Sequence, residues 1–173
     1  MLSQTSPQLL KLRPATPADH AGVEALLARS YPRLLKRDYP PSTMVTAVPL
    51  ISRANPTLLA SGTYYVIEHE GQILAAGGWT KAAPSRSRGR AGVGHIRHVA
   101  TDPDHLRQGL GQALMRHVIR DARRSGVTEL QCLSTRTALR FYKALGFAEG
   151  RELNVPLAQG ITFPAIEMWR KLD

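Results

Sequence analysis

The apolar residues of this chain fall into two periods, an alternation that reads as short strands and a three-to-four spacing that reads as amphipathic helices. Residues 1 to 8 carry neither and read as a loose terminus, and Leu9 to Arg13 read as a first short strand. Thr16-Pro17-Ala18-Asp19 then opens a helix, with Thr16 suited to the N-cap, Pro17 to the first helical position and Asp19 to the first turn. Val23, Leu26 and Leu27 give that helix an apolar stripe, and Tyr31-Pro32 is expected to end it, because a residue before proline is pushed out of the helical region. From Lys36 to Asn55 the prolines at 40, 41 and 49 exclude a long element and leave room for short helical turns between Ser42 and Ser52.

Thr63 to Glu68 are β-branched and aromatic, Glu70-Gly71 makes a turn, and Gln72 to Trp79 return as a second strand, so a hairpin is expected. Gly77-Gly78 within it points to a bulge or to a close approach of other atoms to the backbone. Lys81 to Arg90, with Pro84, two serines and the alternating Arg86, Arg88 and Arg90, is a basic loop by composition. Gly94 to Thr101 form a strand. The following helix carries Leu110, Ala113, Leu114, Val118 and Ala122 on one face and Arg116, Arg120, Arg123 and Arg124 elsewhere, and Gly126 stops it. Thr128 to Leu133 read as a strand, Thr135 to Leu145 as a helix, and Phe147 to Val155 and Ile161 to Leu172 as two closing strands.

At 173 residues and 43% hydrophobic, the chain suits one globular domain over residues 1–173. The single cysteine, Cys132, forms no internal disulfide and reads as a small core residue; no apolar run is long enough for a signal peptide or a span, so a cytoplasmic protein without a membrane partner is expected. A net charge of +10 attracts anions at long range. Nucleic acid is not the expected partner, since no helix-turn-helix, zinc-ligand spacing or aromatic RNA-reading strand accompanies the charge.

The chemistry gathers on the segment from His98 to Leu114. A helix beginning at Gly109-Leu110-Gly111 offers backbone N–H groups without intrahelical partners to an anion, and Arg107 and Gln108 add charge and donors at the rim. Two other phosphate motifs fail on the residues: a dinucleotide fingerprint needs glycine or alanine where Leu114 stands, and a P-loop needs a Gly-Lys-Ser/Thr triplet that is missing.

The segment resembles the acetyl-CoA site of the GNAT superfamily of N-acetyltransferases, whose signature runs Arg/Gln-x-x-Gly-x-Gly/Ala between the fourth strand and the next helix. Gly109 and Gly111 match, while the first position falls on Leu106, a departure, with Arg107 one residue later. A second block, Ala138 to Phe147, is similar to the family's A-x-x-x-Y-x-x-x-G-F segment. The resemblance implies an α/β (α+β) GNAT-like fold, a central mixed, mostly antiparallel sheet of six to seven strands splayed between strands 4 and 5 and flanked by about four helices.

It also implies acetyl-CoA as cosubstrate, without a metal, and an amine acceptor attacking directly in a ternary complex. The coenzyme would be held by Val99, Ala100, Thr101, Arg107, Gln108, Gly109, Leu110, Gly111, Gln112, Thr135 and Phe141, with the Val99 amide polarising the thioester carbonyl. Thr135 stands where many members carry asparagine. Tyr142 matches the family tyrosine that protonates the leaving thiolate, and a phenol of ordinary pKa ~10 carries its proton at neutral pH. His95 occupies the position of the glutamate base of histone-acetylating members, and strand alternation would send His98 to the opposite face. Tyr31, Tyr65 and Trp79 are candidates for the acceptor side, and Tyr39 reads as a packing residue. A homodimer is compatible with this picture. Two other readings stay open: a non-catalytic acyl-CoA-binding domain, against which Tyr142 argues, and a basic nucleic-acid-binding module, for which only charge speaks.

Overall fold

Seven strands form one sheet in the order β1-β2-β3-β4-β5-β7-β6. They are β1 (Lys11–Pro14), β2 (Tyr64–His69), β3 (Gln72–Thr80), β4 (Val93–Thr101), β5 (Glu129–Ser134), β6 (Ala148–Ala158) and β7 (Ile161–Lys171). The structure is a computed structural model and describes residues 9–84 and 89–173, so Arg86 and Arg88 of the basic loop lie outside the described residues. All neighbouring strands are antiparallel except β4 and β5, which run parallel and pair only from Val93–His95 to Glu129–Gln131. Past His95 the two strands continue without a ladder between them, and the sheet opens.

Among the described residues, six α-helices flank the sheet: α1 (His20–Leu35), α2 (Pro41–Thr46), α3 (Val48–Ile51), α4 (Pro56–Leu59), α5 (Leu110–Arg124) and α6 (Leu139–Ala144). The prolines between Lys36 and Pro56 divide one expected connection into three short helices. The first four helices cover one face over β1–β4, where Val23, Leu26, Leu27 and Leu59 meet Tyr64, Val66 and Ala76. On the other face α5 buries Leu110, Leu114, Met115, Val118, Ile119 and Ala122 at helical spacing; Ala113, assigned to this stripe from sequence, is exposed. Each such buried leucine contributes roughly 1.5–3 kcal/mol of transfer free energy. Among the described residues, no helix is long and apolar enough to cross a membrane.

Several boundaries differ from the sequence reading, β6 among them, which runs on to Ala158 rather than stopping at Val155. Helix α1 runs through Pro32 to Leu35 rather than stopping at Tyr31. The exposed proline gives up one backbone bond, while Tyr31 and Leu35 on either side are buried in the core and hold the turn. Helix α6 spans only Leu139–Ala144, because the Thr135 hydroxyl accepts from Ala138 N at 3.1 Å and keeps residues 135–138 as a turn. The first strand occupies Lys11–Pro14, shifted toward its partners Tyr65–Glu68 on β2.

The irregularity expected at Gly77-Gly78 exists, and the extra residue is on the facing strand. Ala76 pairs with Ala100 and Gly78 with Arg97, so Gly77 alone stands opposite His98 and Val99. This is a bulge in β4, with His98 at φ +51. Gly77 leaves room for it, since a Cβ there would lie 2.8 Å from Val99 Cγ2, while Gly78 leaves room for β2 on its other side, where a Cβ would lie 2.6 Å from Tyr64 Cα. Two tyrosine hydroxyls fix the bulge, Tyr64 donating to the His98 carbonyl at 2.8 Å and Tyr31 to the Val99 carbonyl at 2.9 Å.

Candidate active site

Where β4 and β5 part, they leave a cleft of about 580 Å³. Val99, Ala100 and Thr101 line it from β4, Cys132 to Thr135 from β5 and the following turn, Phe141 and Tyr142 from α6, and Tyr31 from α1, with Leu106 and Arg107 at the rim. The carbonyls of Val99 and Thr101 are taken by Tyr31 and by Ser30 Oγ (2.9 Å), so these residues turn their polar groups away from β3 and toward the opening.

Tyr142 is buried against Phe141 and Phe147, whose rings stand edge-on at 5.2 and 5.5 Å. Burial, with Cys132 adding to it, pushes the pKa of its hydroxyl well above 10. Burial likewise raises the Cys132 thiol to about 12 and raises Tyr31. The phenol therefore keeps its proton across the neutral range, and the thiol is not a nucleophile there.

At the far end the turn into α5 is shaped by Arg107 (φ +60) and Gly109 (φ +78), both left-handed. The first bond of the helical ladder runs from Ala113 N to Gly109 O, which leaves the amides of Leu110, Gly111 and Gln112 outside it, and no side chain caps them. Gly111 has a second constraint, since a Cβ there would lie 3.2 Å from the Phe141 ring. The turn is anchored by Asp102, which is buried; its carboxylate accepts from Arg29 Nε at 2.7 Å and from Asp104 N at 2.8 Å, while Arg29 Nη2 donates to the Ile73 carbonyl. These contacts hold Asp102 below the usual carboxylate range despite burial.

A second cavity of about 720 Å³ adjoins the first and shares Ile96, Cys132, Leu133, Val155 and Leu157 with it; His95, Arg90, Gln131 and Glu167 line it. His95 is 8% exposed, and among the described residues its Nε2 has no hydrogen-bond partner. Burial first, then the charges of Arg97 and Arg90, hold its pKa below 6.5, so the ring is neutral at pH 7.

The structure gathers Val99, Ala100, Thr101, Arg107, Thr135, Phe141, Tyr142 and Tyr31 in the cleft. Gln108, Gly109, Leu110, Gly111 and Gln112 form the turn and first helical residues beside it, and the Leu110 side chain is core. Tyr65 and Trp79, taken from sequence as candidates for the acceptor side, do not line this cleft. Both belong to the core beneath α5, where Tyr65 meets the His117 ring at 4.4 Å and Trp79 Nε1 donates to Asp121 at 2.8 Å. Tyr39 packs on Phe163, and its hydroxyl donates to the Pro164 carbonyl.

His98 does not take the face opposite His95. Gly94 and Ile96 look toward α5, which puts His95 on the α1 side, and the bulge returns His98 to that side, where its Nε2 donates to the Ile51 carbonyl of α3 at 2.7 Å. Sequence reasoning also missed the exposure of Cys132 to the cleft and the Arg29–Asp102 anchor. The wide separation of these partners along the chain leaves no local signal.

Residues 26–147 match the model of the acetyltransferase (GNAT) family. The chain belongs to that family. Its GNAT relatives include the [ribosomal protein bS18]-alanine N-acetyltransferase of Escherichia coli, 42% identical over 55 residues that span 30% of this chain and 37% of the relative. Among solved structures, a GCN5-related N-acetyltransferase from Rhodopseudomonas palustris superposes with a TM-score of 0.77 at 18% identity, covering 96% of this chain and 99% of its own. The PaiA N-acetyltransferase of Thermoplasma acidophilum, in complex with coenzyme A, does so with a TM-score of 0.71 at 11% identity, covering 95% and 99%.

Proposed function

We propose that this protein transfers the acetyl group of acetyl-CoA to a primary amine by direct attack in a ternary complex. The observation that carries this reading is a single cleft that joins a freed strand edge at Val99–Thr101 and a buried phenol at Tyr142, with Arg107 at its rim and the uncapped start of α5 beside it. These residues fit the coenzyme: the amides of Leu110, Gly111 and Gln112 with Arg107 suit its diphosphate, and the polar edge of Val99 and Thr101 suits its amide-bearing arm. The coenzyme would supply a thioester, an acyl group already activated for transfer.

The chain supplies the rest. The bulge fixes the Val99 amide as a preorganised donor for negative charge developing on the carbonyl oxygen. Tyr142 Oη holds a proton for the departing sulfur, and the neutral His95 at the adjoining cavity accepts one from the incoming ammonium, directly or through water. Acetyl-CoA-dependent thiol release over a panel of amines tests the reading. Wild type should release thiol with at least one amine, and Tyr142→Phe should lose most of that rate while coenzyme A still raises its melting temperature. Equal rates in both proteins would overturn the assignment of Tyr142.

A further inference from the structure

The cleft at the parting of β4 and β5 passes through the sheet, and its two ends differ in chemistry. Toward α5 and α6 it is lined by Thr101, Arg107, Phe141 and Tyr142, groups proposed above for the coenzyme and the leaving sulfur. Toward α1 its walls are Leu35, Ile51, Val155, Leu157, Phe163 and Ala165, which belong to the apolar layer under the first four helices or pack against it. Among the described residues no carboxylate lines the cleft, and Arg107, its one guanidinium, stands at the rim beside α5.

The polar groups at the α1 end are few and mostly engaged. The Tyr31 hydroxyl donates to the Val99 carbonyl and the Ser30 hydroxyl to the Thr101 carbonyl. The exception is His98, whose ring lines the cleft. Its Nε2 donates to the Ile51 carbonyl at 2.7 Å, which fixes the neutral tautomer and leaves the lone pair on Nδ1. Burial holds the ring below 6.5 against the pull of the Ile51 bond, so Nδ1 is unprotonated at pH 7. Because the bulge brings residue 98 to this side, a group held on Nδ1 lies one residue from the Val99 amide proposed for the thioester carbonyl.

Such walls select by what they cannot pair. A carboxylate or a second ammonium on the acceptor would leave water here without a counter-ion, whereas methylene or aryl surface gains by burial. The reacting ammonium meets the same penalty, which shifts it toward the free base. A neutral amine that donates one N–H to Nδ1 keeps its own lone pair for attack. We infer that the acceptor is a primary monoamine on an otherwise apolar, uncharged body, seated at the α1 end of the cleft with its nitrogen on His98 Nδ1. This names a substrate class for the acetyl-transfer reading above and rests on it.

The test compares hexylamine, ethylamine, 1,6-diaminohexane and 6-aminohexanoate as acetyl acceptors at pH 8. Wild type should favour hexylamine over each of the others by at least about tenfold in kcat/KM, the scale expected for four buried methylenes or one unpaired charge. Leu157→Asp puts a carboxylate on the wall, so the preference for hexylamine over the diamine should shrink or reverse, with the coenzyme A thermal shift confirming the fold. His98→Asn keeps a residue that tolerates the left-handed φ of +51 and should raise the KM for hexylamine by about tenfold, with the KM for acetyl-CoA nearly constant. Comparable use of the four amines by wild type, a preference for the diamine or the acid, or unmoved ratios in Leu157→Asp overturns the apolar seat. An unchanged amine KM in His98→Asn overturns the Nδ1 contact. Titration of the coenzyme A-loaded protein with the neutral amide N-hexylacetamide, followed by saturation-transfer NMR, separates binding from transfer. If no amine is acetylated but the amide binds wild type and binds Leu157→Asp at least about tenfold less tightly, the acetyl-transfer reading fails and the apolar seat stands. If amines are acetylated without a preference for hexylamine, the seat fails alone, and the absence of both acetylation and binding overturns both.

Discussion

The Tyr31 hydroxyl donates to the Val99 carbonyl at 2.9 Å, and this bond, made from α1, orients the Val99–Ala100 peptide, next to the His98–Val99 peptide that carries the Val99 amide and is held by Tyr64. Tyr31→Phe keeps the ring and leaves that carbonyl without its partner. Stability should fall by roughly 1–3 kcal/mol, the penalty for an unmet buried polar group. The catalytic effect should fall on kcat, by about tenfold or more, with the KM for acetyl-CoA nearly constant, because a shift of the Val99–Ala100 peptide carries over to the adjoining Val99 amide, and a misdirected donor at a developing oxyanion is felt only in the transition state. Denaturant melts and steady-state kinetics check the two parts separately.

The pH profile should have one limb in the accessible range. In the proposed role of base His95 acts when neutral, and its pKa lies below 6.5, so the rate should climb with pH through that lowered value and level off by pH 7. Charged and polar groups around the ring are Arg97, Arg90, Glu167 and Gln131. Arg97→Gln removes one of the depressing charges and should move the limb up toward 6.5. Tyr142 contributes no descending limb, since its pKa is well above 10. A limb that follows the acceptor's own pKa instead would assign the proton transfer to bulk water.

Stability should respond to acid in two stages. His95, His98 and His117 all have folded pKa values below 6.5, so the unfolded chain binds more protons than the folded one as pH drops below about 6.5, and stability declines there. Asp19 is held low by Arg13, and Asp102 by the Asp104 amide and Arg29 against its burial, so their contribution is present above the ordinary carboxylate pKa of about 4 and is lost as pH falls below it. Thermal unfolding at pH 7.5, 5.5 and 3.5 should show both steps.

Arg107→Glu reverses a charge at the rim of the cleft in a residue that already holds the left-handed turn. Coenzyme A affinity should drop by about tenfold or more, as expected for losing a charge-assisted contact and adding repulsion. The wild-type affinity should also weaken with salt more steeply than the variant's. Titration calorimetry at two ionic strengths measures both.

Much of this was legible in the chain, for reasons that can be located. The hairpin followed from alternation and the Glu70-Gly71 turn, where His69 and Gln72 do pair directly. The start of α5 followed from two glycines, one needed for its φ and the other for the approach of Phe141. The acceptor side was not legible. Tyr64-Tyr65-Val66-Ile67 is buried on both faces, so the run carries no alternation to say that Tyr64 clamps the bulge while Tyr65 joins the core under α5. The bulge itself sits at a histidine, a residue with no turn signature, and its causes lie on β3, on β2 and in α1. Pro32 misled because local backbone preference was outweighed by the burial of Tyr31 and Leu35 around it.

The short parallel pairing of β4 with β5 also has a mechanical meaning. With only Val93–His95 bonded to Glu129–Gln131, the sheet is two plates, β1–β4 and β5-β7-β6, joined along a seam three residues deep. Helix α5 bridges their backs, and Tyr39 and Asp38 tie their fronts through Pro164, Arg136 and Thr137. A ligand lodged in the cleft would lie between Val99 on one plate and Leu133 and Ser134 on the other, and so would act as a rivet across the seam. Hydrogen exchange should slow on coenzyme binding most at the amides facing that gap, those of residues 96–101 and 132–134, and least in β1 and β6 at the outer edges.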